Sequence, residues 1–343
     1  MPTTKKKSQK KSKRKPIIRW FGWICLFLLL FLVGFFLDYL LFPRYIYPTG
    51  PSRNIGENGL WLNWRWYFGR YSPADETAME QRLRMAGVRS AYFHVLSVDD
   101  EGLLKYHHAE TARTLTKSVH RSLPHTTLYA WVYVGNRDGR GSVDLSDPST
   151  RANLVKEAVW LTKTCGFDGV QWDYEICPSN DVSFLELLRS TRAAIGTKKK
   201  ISVASALRLP SAVAGRWGWS DAYFGQVSRL CNQICVMGYD SCMVTPRTYV
   251  ALMRSETIWV TGDVDRANPK CRVLIGIPSY GDRTAAHNPY AENLRFALIG
   301  VRDGAASHKA RPQVLDGVAV FADYTTDYGQ WLTYQGLWPR TVT

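Results

Sequence analysis

Eight short apolar segments alternate with stretches of helical periodicity along most of this 343-residue chain. Each segment is six to nine residues long, which is the length of a buried strand. The segments are Gly59–Tyr67, Val88–Val95, Thr127–Val134, Gly166–Tyr174, Lys200–Leu207, Gln233–Tyr239, Arg272–Ile277 and Asp316–Ala322. Helical patterns lie between them, among them Ala74–Ala86, Ser149–Thr164, Ser183–Ile195 and Ala291–Ile299.

Eight strand-then-helix units within about 290 residues predict a (β/α)8 barrel, the TIM barrel. A doubly wound parallel sheet is the alternative, but no Gly-x-Gly-x-x-Gly follows the first strand. We assign the barrel to residues 56–343, because no low-complexity break or charge run divides them. In such a barrel the functional side chains collect at the carboxyl ends of the strands.

The beginning of the chain has a different composition. Nine Lys and Arg and no acid lie in the first 19 residues, and Trp20–Leu37 then carries no charge. The apolar run resumes after Asp38, is long enough to span a bilayer, and has no small-x-small cleavage pattern behind it. We predict a basic cytoplasmic tail over 1–16, an uncleaved transmembrane signal anchor over 17–42 and an exposed linker over 43–55.

This arrangement predicts a single-pass membrane protein whose barrel lies outside the cytoplasm, in a periplasm, a lumen or the extracellular space. The alternative is a buried core helix. A nucleic-acid partner is not expected, because without the tail the chain has 35 Lys and Arg against 29 Asp and Glu. The bilayer is therefore the partner that this end of the chain indicates, and protein partners cannot be inferred from it.

Six cysteines follow the apolar segment, where an oxidising compartment would permit disulfides. Cys231 and Cys271 both precede neighbouring strands at the same end of the predicted barrel, so they could pair. Unpaired buried thiols are an equal alternative. No Cys-x-x-Cys pair or His-rich cluster indicates a metal, and we expect no cofactor.

The fourth strand contains the acidic residues of most interest. It reads Asp168-Gly-Val-Gln-Trp-Asp-Tyr-Glu175. Because side chains alternate along a strand, Gln171, Asp173 and Glu175 share one face, which we expect to point into the barrel. Two neighbouring buried acids must differ in protonation, so the upper one is expected to keep a proton and the lower one to hold the charge. The alternatives are a structural ion pair or a metal site.

Three motifs carry a resemblance to a known family. The fourth strand resembles the Asp-Gly-x-x-x-Asp-x-Glu signature of glycoside hydrolase family 18, which contains chitinases and endo-β-N-acetylglucosaminidases. Met237-Gly-Tyr239-Asp240 is similar to the family's Met-x-Tyr-Asp on the sixth strand, and Gly276-Ile-Pro-Ser-Tyr280-Gly281 is similar to its motif on the seventh. The resemblance covers residues 56 to about 330.

The resemblance implies a glycosidase that uses substrate-assisted retaining hydrolysis. Glu175 would protonate the glycosidic oxygen, and the 2-acetamido carbonyl of the substrate would attack the anomeric carbon. Asp173 would orient the acetamido group, Tyr239 would donate a hydrogen bond to its oxygen, and Asp240 would bind near the same sugar. Further contacts with the glycan are expected from Gln171, Met237, Trp131, Tyr280 and Phe321.

The chain departs from the family at two of these positions. Gln171 stands where the family usually has Asp, and Phe321 aligns with the Trp that commonly forms the floor of the −1 sugar subsite. We therefore predict a divergent member acting on β-linked N-acetylhexosamine glycans such as chitin-like oligosaccharide, peptidoglycan or an exopolysaccharide. The alternatives are a non-catalytic glycan-binding receptor, or a barrel glycosidase for a sugar without an acetamido group. Arg208 and Arg283, near strand ends, could meet an anionic glycan.

Overall fold

The structure is a computed structural model that describes residue 3 and residues 14–341, with only the backbone of residues 14–19. Most of the predicted basic tail therefore lies outside the described residues. Helix α1 (Arg14–Tyr45) contains the apolar segment Trp20–Tyr45, in which the most apolar window of 18 residues has a mean hydropathy of 2.6. By length and composition this helix can cross a membrane, which fits a membrane anchor or a signal sequence equally.

Eight strands and eight further helices alternate in the rest of the chain. The strands are β1 Asn58–Leu62, β2 Val88–Ser97, β3 Thr127–Gly135, β4 Gly169–Glu175, β5 Lys200–Ser205, β6 Gln233–Met237, β7 Arg272–Pro278 and β8 Leu315–Phe321. The helices are α2 Pro73–Met85, α3 Ala109–Ser122, α4 Pro148–Lys163, α5 Val182–Ile195, α6 Asp221–Ser228, α7 Pro246–Ala267, α8 Leu294–Ala305 and α9 Tyr328–Leu337.

The eight strands form a closed parallel barrel in chain order, which confirms the predicted TIM barrel. Closure is made by β8 against β1, where Gly59 pairs with Ala319 and Leu60 with Val320. Strand β1 is shorter than the segment Gly59–Tyr67 that the apolar pattern indicates. It ends at Leu62 because the Asn63 side chain accepts a hydrogen bond of 3.0 Å from the Arg65 N–H, which turns the chain.

A buried asparagine holds the closure between the first and the last strand. The Asn58 Oδ1 accepts hydrogen bonds from the Val318 N–H at 3.1 Å and from the Trp338 Nε1 at 2.9 Å. Its Nδ2 donates to the Asn54 Oδ1 at 2.7 Å and to the Ala86 carbonyl at 3.0 Å. One side chain thus connects the segment before β1 with β8 and with the residue after α9.

The segment 43–55 differs from the predicted exposed linker. Residues 43–45 still belong to α1, and Gly50 is buried against α8. The Arg302 guanidinium donates two hydrogen bonds to the Gly50 carbonyl, at 3.0 and 2.7 Å. A Cβ at Gly50 would lie 2.6 Å from the Arg302 carbonyl oxygen, so this close approach requires glycine. Turn residues indicated a linker, but they give no information about long-range packing.

Cys231 and Cys271, for which the sequence left both a disulfide and free thiols possible, lie close together. The Sγ atoms of Cys231 and Cys271 are 3.8 Å apart and both thiols are buried and free. Their neighbouring positions at the amino ends of β6 and β7 agree with the expectation from the strand pattern.

Candidate active site

Strand β4 presents the expected polar face to the interior of the barrel. Gln171 and Asp173 are buried there, and Glu175 is partly buried at the carboxyl end. The intervening Tyr174 stacks on Phe184 of α5, with ring centroids 5.5 Å apart. Alternation along one strand therefore separates the polar face from the face that packs on the helices.

The backbone around Glu175 is fixed by the loop after β3. The Asn136 side chain accepts a hydrogen bond from the Ile176 N–H at 2.9 Å and donates to the Ile176 carbonyl at 2.8 Å. Gly139 lies so close that a Cβ would be 2.2 Å from the Glu175 carbonyl oxygen. Asn136 lies in the loop after β3, and the sequence pattern gave no indication of these hydrogen bonds to the backbone next to Glu175.

Asp173 and Glu175 both have raised pKa values. Burial first, and the negative charge of Glu175 second, raise the pKa of Asp173 well above its usual range, although the Trp131 Nε1 donates to its Oδ2 at 2.8 Å. The pKa of Glu175 is raised by burial and then by the charge of Asp240, against the opposing charge of Arg140. The resting pair therefore favours protonated forms. This differs from the expectation of an ionised lower acid, because Asp173 is almost completely removed from water.

Gln171 lies one layer below the acids, where it is fully buried. Its Oε1 accepts from the Trp61 Nε1 at 2.8 Å and its Nε2 donates to the Ser202 Oγ at 3.2 Å. Both ends of the amide are thus engaged by the barrel, not presented to a substrate. The hydrogen bonds continue from Ser202 to Gln233, whose Oε1 also accepts from the Tyr92 hydroxyl at 2.6 Å.

This network predicts how the protein responds to a carboxyl at position 171. We expect Gln171→Glu to lower the free energy of unfolding by about 3 kcal/mol at pH 7, because an uncompensated charge becomes buried beside Asp173. Burial would raise the folded-state pKa of the new carboxyl above its unfolded value. The loss should therefore be small below the unfolded pKa, about 4.3, and grow as the pH rises above it.

Urea denaturation followed by tryptophan fluorescence at pH 4 and pH 7 measures this effect, always relative to the unchanged chain. Gln171→Met, which has similar length and no charge, is the control. Its loss of stability should be the same at both pH values. An equal loss for Gln171→Glu at both pH values would contradict the prediction.

Aromatic rings form the wall next to the acids. Phe321, at the end of β8, stacks on Tyr239 with ring centroids 4.9 Å apart and meets Trp61 edge-on at 5.5 Å. Trp131 is also buried, and its ring lies 5.9 Å from that of Phe321. Among these rings, that of Phe321 is partly exposed, whereas the indole N–H of Trp131 donates a hydrogen bond to Asp173. A direct sugar contact by Trp131 stays a prediction.

His94, on β2, stacks on Trp131 with ring centroids 3.9 Å apart. Its Nε2 is buried and has no hydrogen-bond partner, and burial lowers the pKa of His94 to about 4. The ring is therefore neutral at neutral pH and serves as an aromatic support for Trp131.

Asp240 is held by a cluster that the motifs did not indicate. The Tyr280 hydroxyl donates to the Asp240 Oδ1 at 2.7 Å. The backbone of Asp240 has a φ of 52°, and the following turn is fastened by Glu292, whose carboxylate accepts from the N–H groups of Ser241 at 3.1 Å and Met243 at 3.0 Å. Glu292 is fully buried.

His287 completes this cluster from the loop before α8. Its ring lies against Tyr280, with centroids 4.2 Å apart, and its Nδ1 is 3.5 Å from the Glu292 Oε2. His287 lies in a loop without strand or helix periodicity. Glu292 falls in the helical pattern Ala291–Ile299 but lies just before α8, so only Tyr280 indicated this position in the sequence.

A cavity of about 220 Å³ opens beside Glu175. Residues at the ends of β4, β5 and β6 line it, among them Glu175, Met237, Tyr239 and Asp240. The structure thus brings the predicted site residues Glu175, Met237, Tyr239 and Asp240 together around one cavity. Gln171 and Trp131 lie beneath them. Among the residues that the structure describes, no group of three or more His, Cys, Asp and Glu side chains is placed to hold a metal ion.

Comparison with known proteins gives one curated relative and a set of similar structures. No protein-family model matches the chain. Nod factor hydrolase protein 1 of Medicago truncatula is 24% identical over 197 residues, which are 50% of this chain and 49% of that protein. The chain thus spans about half the length of this curated relative.

Among solved structures, the spore cortex-lytic enzyme SleL of Bacillus cereus has a TM-score of 0.56 at 12% identity, over 86% of this chain and 76% of that one. A class V chitinase from Pseudomonas fluorescens Pf-5 has a TM-score of 0.54 at 16% identity, over 81% and 98%. A chitinase from Bacteroides thetaiotaomicron has a TM-score of 0.54 at 15% identity, over 81% and 93%. These likenesses establish the fold, a TIM barrel of the kind found in chitinases and in a spore cortex-lytic enzyme.

Proposed function

We propose that the chain is a membrane-anchored glycoside hydrolase of the family 18 type, which cleaves β-linked N-acetylhexosamine glycans by substrate-assisted retaining hydrolysis. The observation that carries this proposal is the placement of Asp173 and Glu175, two acids with raised pKa values, at the carboxyl end of β4 beside a cavity. The name of the Medicago truncatula relative, a hydrolase, supports it.

Glu175 is the proposed acid. Its raised pKa keeps the carboxyl protonated closer to neutral pH than that of an exposed glutamate, so it can give its proton to the glycosidic oxygen. After the leaving group departs, the same carboxylate takes a proton from the attacking water. The neighbouring Asn136 clamp holds the backbone of this residue in place during both steps.

Asp173 is the proposed partner of the substrate's acetamido group. In the resting site burial favours its neutral form. An acetamido N–H that donates to Asp173 would favour the ionised form and leave the proton of the pair on Glu175. The acid is then ready when a sugar with the acetamido group is bound, and the Asp173 charge stabilises the oxazolinium ion.

Tyr239 is the proposed donor to the acetamido oxygen. Burial, and then the charge of Asp173, raise the pKa of Tyr239 well above its usual range, so its hydroxyl keeps its proton for this hydrogen bond. Phe321, stacked on Tyr239, would form the floor under the sugar, and Asp240 with Tyr280 would bind its hydroxyls.

Helix α1 would anchor the enzyme in a bilayer, with the basic tail in the cytoplasm and the barrel on the other side. The proposed substrates are therefore glycans outside the cytoplasm, such as peptidoglycan, an exopolysaccharide or a chitin-like oligosaccharide.

The requirement for the acetamido group tests the mechanism. We expect the full-length chain in detergent to release a chromogenic leaving group from β-linked N-acetylglucosamine oligosaccharides and not from the matched glucose compounds. A thiazoline analogue of the oxazolinium ion should inhibit the release. Equal cleavage of both sugars would instead favour a glycosidase that does not use the acetamido group, and binding without cleavage would favour a glycan receptor.

The pH profile of this activity follows from the charges around Glu175. We expect kcat/KM to fall on the alkaline side with a midpoint above about 4.3, the ordinary glutamate pKa, because the acid must hold its proton. Arg140→Gln should move that midpoint to higher pH, since the Arg140 charge lowers the pKa of Glu175. Initial rates between pH 4 and pH 9 measure it. A midpoint that moves down in Arg140→Gln contradicts the assignment of Glu175 as the acid.

A further inference from the structure

The cavity beside Glu175 is lined by Tyr239 and Asp240 at the end of β6 and by Arg216 and Trp217 in the loop after β5. Strands β4 and β8 lie opposite each other in the barrel, with three strands between them on either side. If the sugar with the acetamido group lies over Phe321 and against Tyr239, the part of the cavity at Arg216 and Trp217 would receive the sugar on the other side of the cleaved bond. That sugar belongs to the leaving group.

The rim of this cavity combines an aromatic face with a cation. Trp217, in the loop between β5 and α6, is 68% exposed, and the Arg216 guanidinium lies 4.8 Å from the centroid of its ring. Both residues line the cavity. An exposed indole offers a stacking face for a sugar, and a guanidinium offers a pair of parallel donors that match a carboxylate.

A second cation approaches from the loop between β3 and α4. Arg140 is exposed and directly follows Gly139, which packs against the Glu175 carbonyl, and its charge acts on the carboxyl of Glu175. The Arg216 Nη2 reaches this same loop, at 3.1 Å from the Asp138 Oδ1, and both side chains of this pair are about half exposed. The two loops thus bring two arginines and one aspartate close to Glu175.

The positive charge opposes the proposed chemistry unless the substrate offsets it. A cation beside an acid catalyst favours loss of the catalyst's proton, whereas burial of Glu175 has the opposite effect. An anionic group on the bound glycan would neutralise the arginines at the time of proton transfer. Arg208 does not take part, because its guanidinium is bound to Asp263 at 3.2 Å and stacks on Trp259.

We infer that the part of this cavity at Trp217 and Arg216 is a subsite for a leaving-group sugar that carries a carboxylate, stacked on Trp217 and bound by Arg216 and Arg140. The inference rests on the proposed glycosidase function and narrows its substrate to acidic N-acetylated glycans. The exposed ion pair with Asp138 is weak enough for a substrate carboxylate to replace it.

Isothermal titration calorimetry tests the subsite apart from catalysis. The protein is the full-length Glu175→Gln chain in a detergent without a sugar head group. The probes are β-linked disaccharides of N-acetylhexosamine whose reducing-end sugar is either neutral or carries a lactyl ether. A third probe with a uronic acid at the reducing end distinguishes the two sources of a carboxylate.

We expect at least one carboxylated probe to bind about tenfold more tightly than the neutral one, a margin that shrinks as salt is added. Arg216→Gln should remove the margin and Arg140→Gln should reduce it. Arg229→Gln, which removes an exposed arginine at the end of α6, before β6, should leave it unchanged.

Equal affinity for the neutral and carboxylated probes overturns the subsite and leaves the proposed glycosidase function in place. A margin that Arg229→Gln removes as strongly as Arg216→Gln does also overturns it, because the effect would then come from net charge. If none of the probes binds, the proposed function fails and the subsite fails with it.

Discussion

Glu175→Gln is expected to lower kcat/KM on chromogenic N-acetylglucosamine oligosaccharides by about 10²–10⁴-fold. The amide has nearly the same shape as the carboxyl but no proton to give to the glycosidic oxygen. The side chain of Asn136 bonds the backbone of Ile176 and not the Glu175 carboxyl, so the loop after β3 should remain in place. Binding of the oligosaccharide should persist, since the aromatic wall and the Asp240 cluster are unchanged.

Initial rates and calorimetric binding, measured on the same preparation, check this result. Glu186→Gln is the matched control, because Glu186 is a half-exposed residue of α5 whose partner is Arg189. That variant should keep the original rate. Loss of binding together with loss of rate in Glu175→Gln would indicate damage to the site. An unchanged rate would remove Glu175 from the mechanism.

Asp173→Asn should lower kcat by about 10²–10³-fold and at the same time make the protein more stable at pH 7. The first effect follows from loss of the negative charge that stabilises the oxazolinium ion. The second follows from burial, which raises the pKa of Asp173 and so makes its ionised form costly in the folded state. An asparagine oxygen can still accept the hydrogen bond from the Trp131 N–H.

The size of the stability gain in Asp173→Asn depends on pH. A carboxyl whose folded pKa is raised destabilises the protein as the pH rises above its unfolded pKa, about 3.9, so the gain from asparagine should be absent below that pH and present at neutral pH. Urea denaturation of both chains at pH 3.5 and pH 7 measures it. A variant that is inactive and also less stable at pH 7 would show that Asp173 has a structural role instead.

The parts of this protein that depend on short-range periodicity could be predicted from its sequence. The order of apolar and helical segments predicted the closed barrel, and alternation along β4 placed Asp173 and Glu175 on the interior face. Alternation alone did not show how deep each residue lies. Gln171 faces inward as predicted, but Trp61, which is 110 positions away, binds its amide below the site.

The residues that support the site were harder to predict, because they lie in loops and act through contacts far along the chain. Glu292 fixes the turn after Asp240 through hydrogen bonds that span 51 and 49 positions. The docked segment around Gly50 also depends on a partner far along the chain, Arg302, at a separation of 252 positions. Such pairings are set by the tertiary fold, which local composition does not encode.

The asparagine at the closure of the barrel has a consequence for how this chain is made. Asn58 is synthesised early, yet two of its donors, the Val318 N–H and the Trp338 indole, come from the last tenth of the chain. A chain that leaves the ribosome from its amino end must therefore hold β1 without β8 beside it until Val318 and Trp338 have emerged. During that interval the nascent protein presents an open sheet edge, which can pair with other strands until β8 covers it.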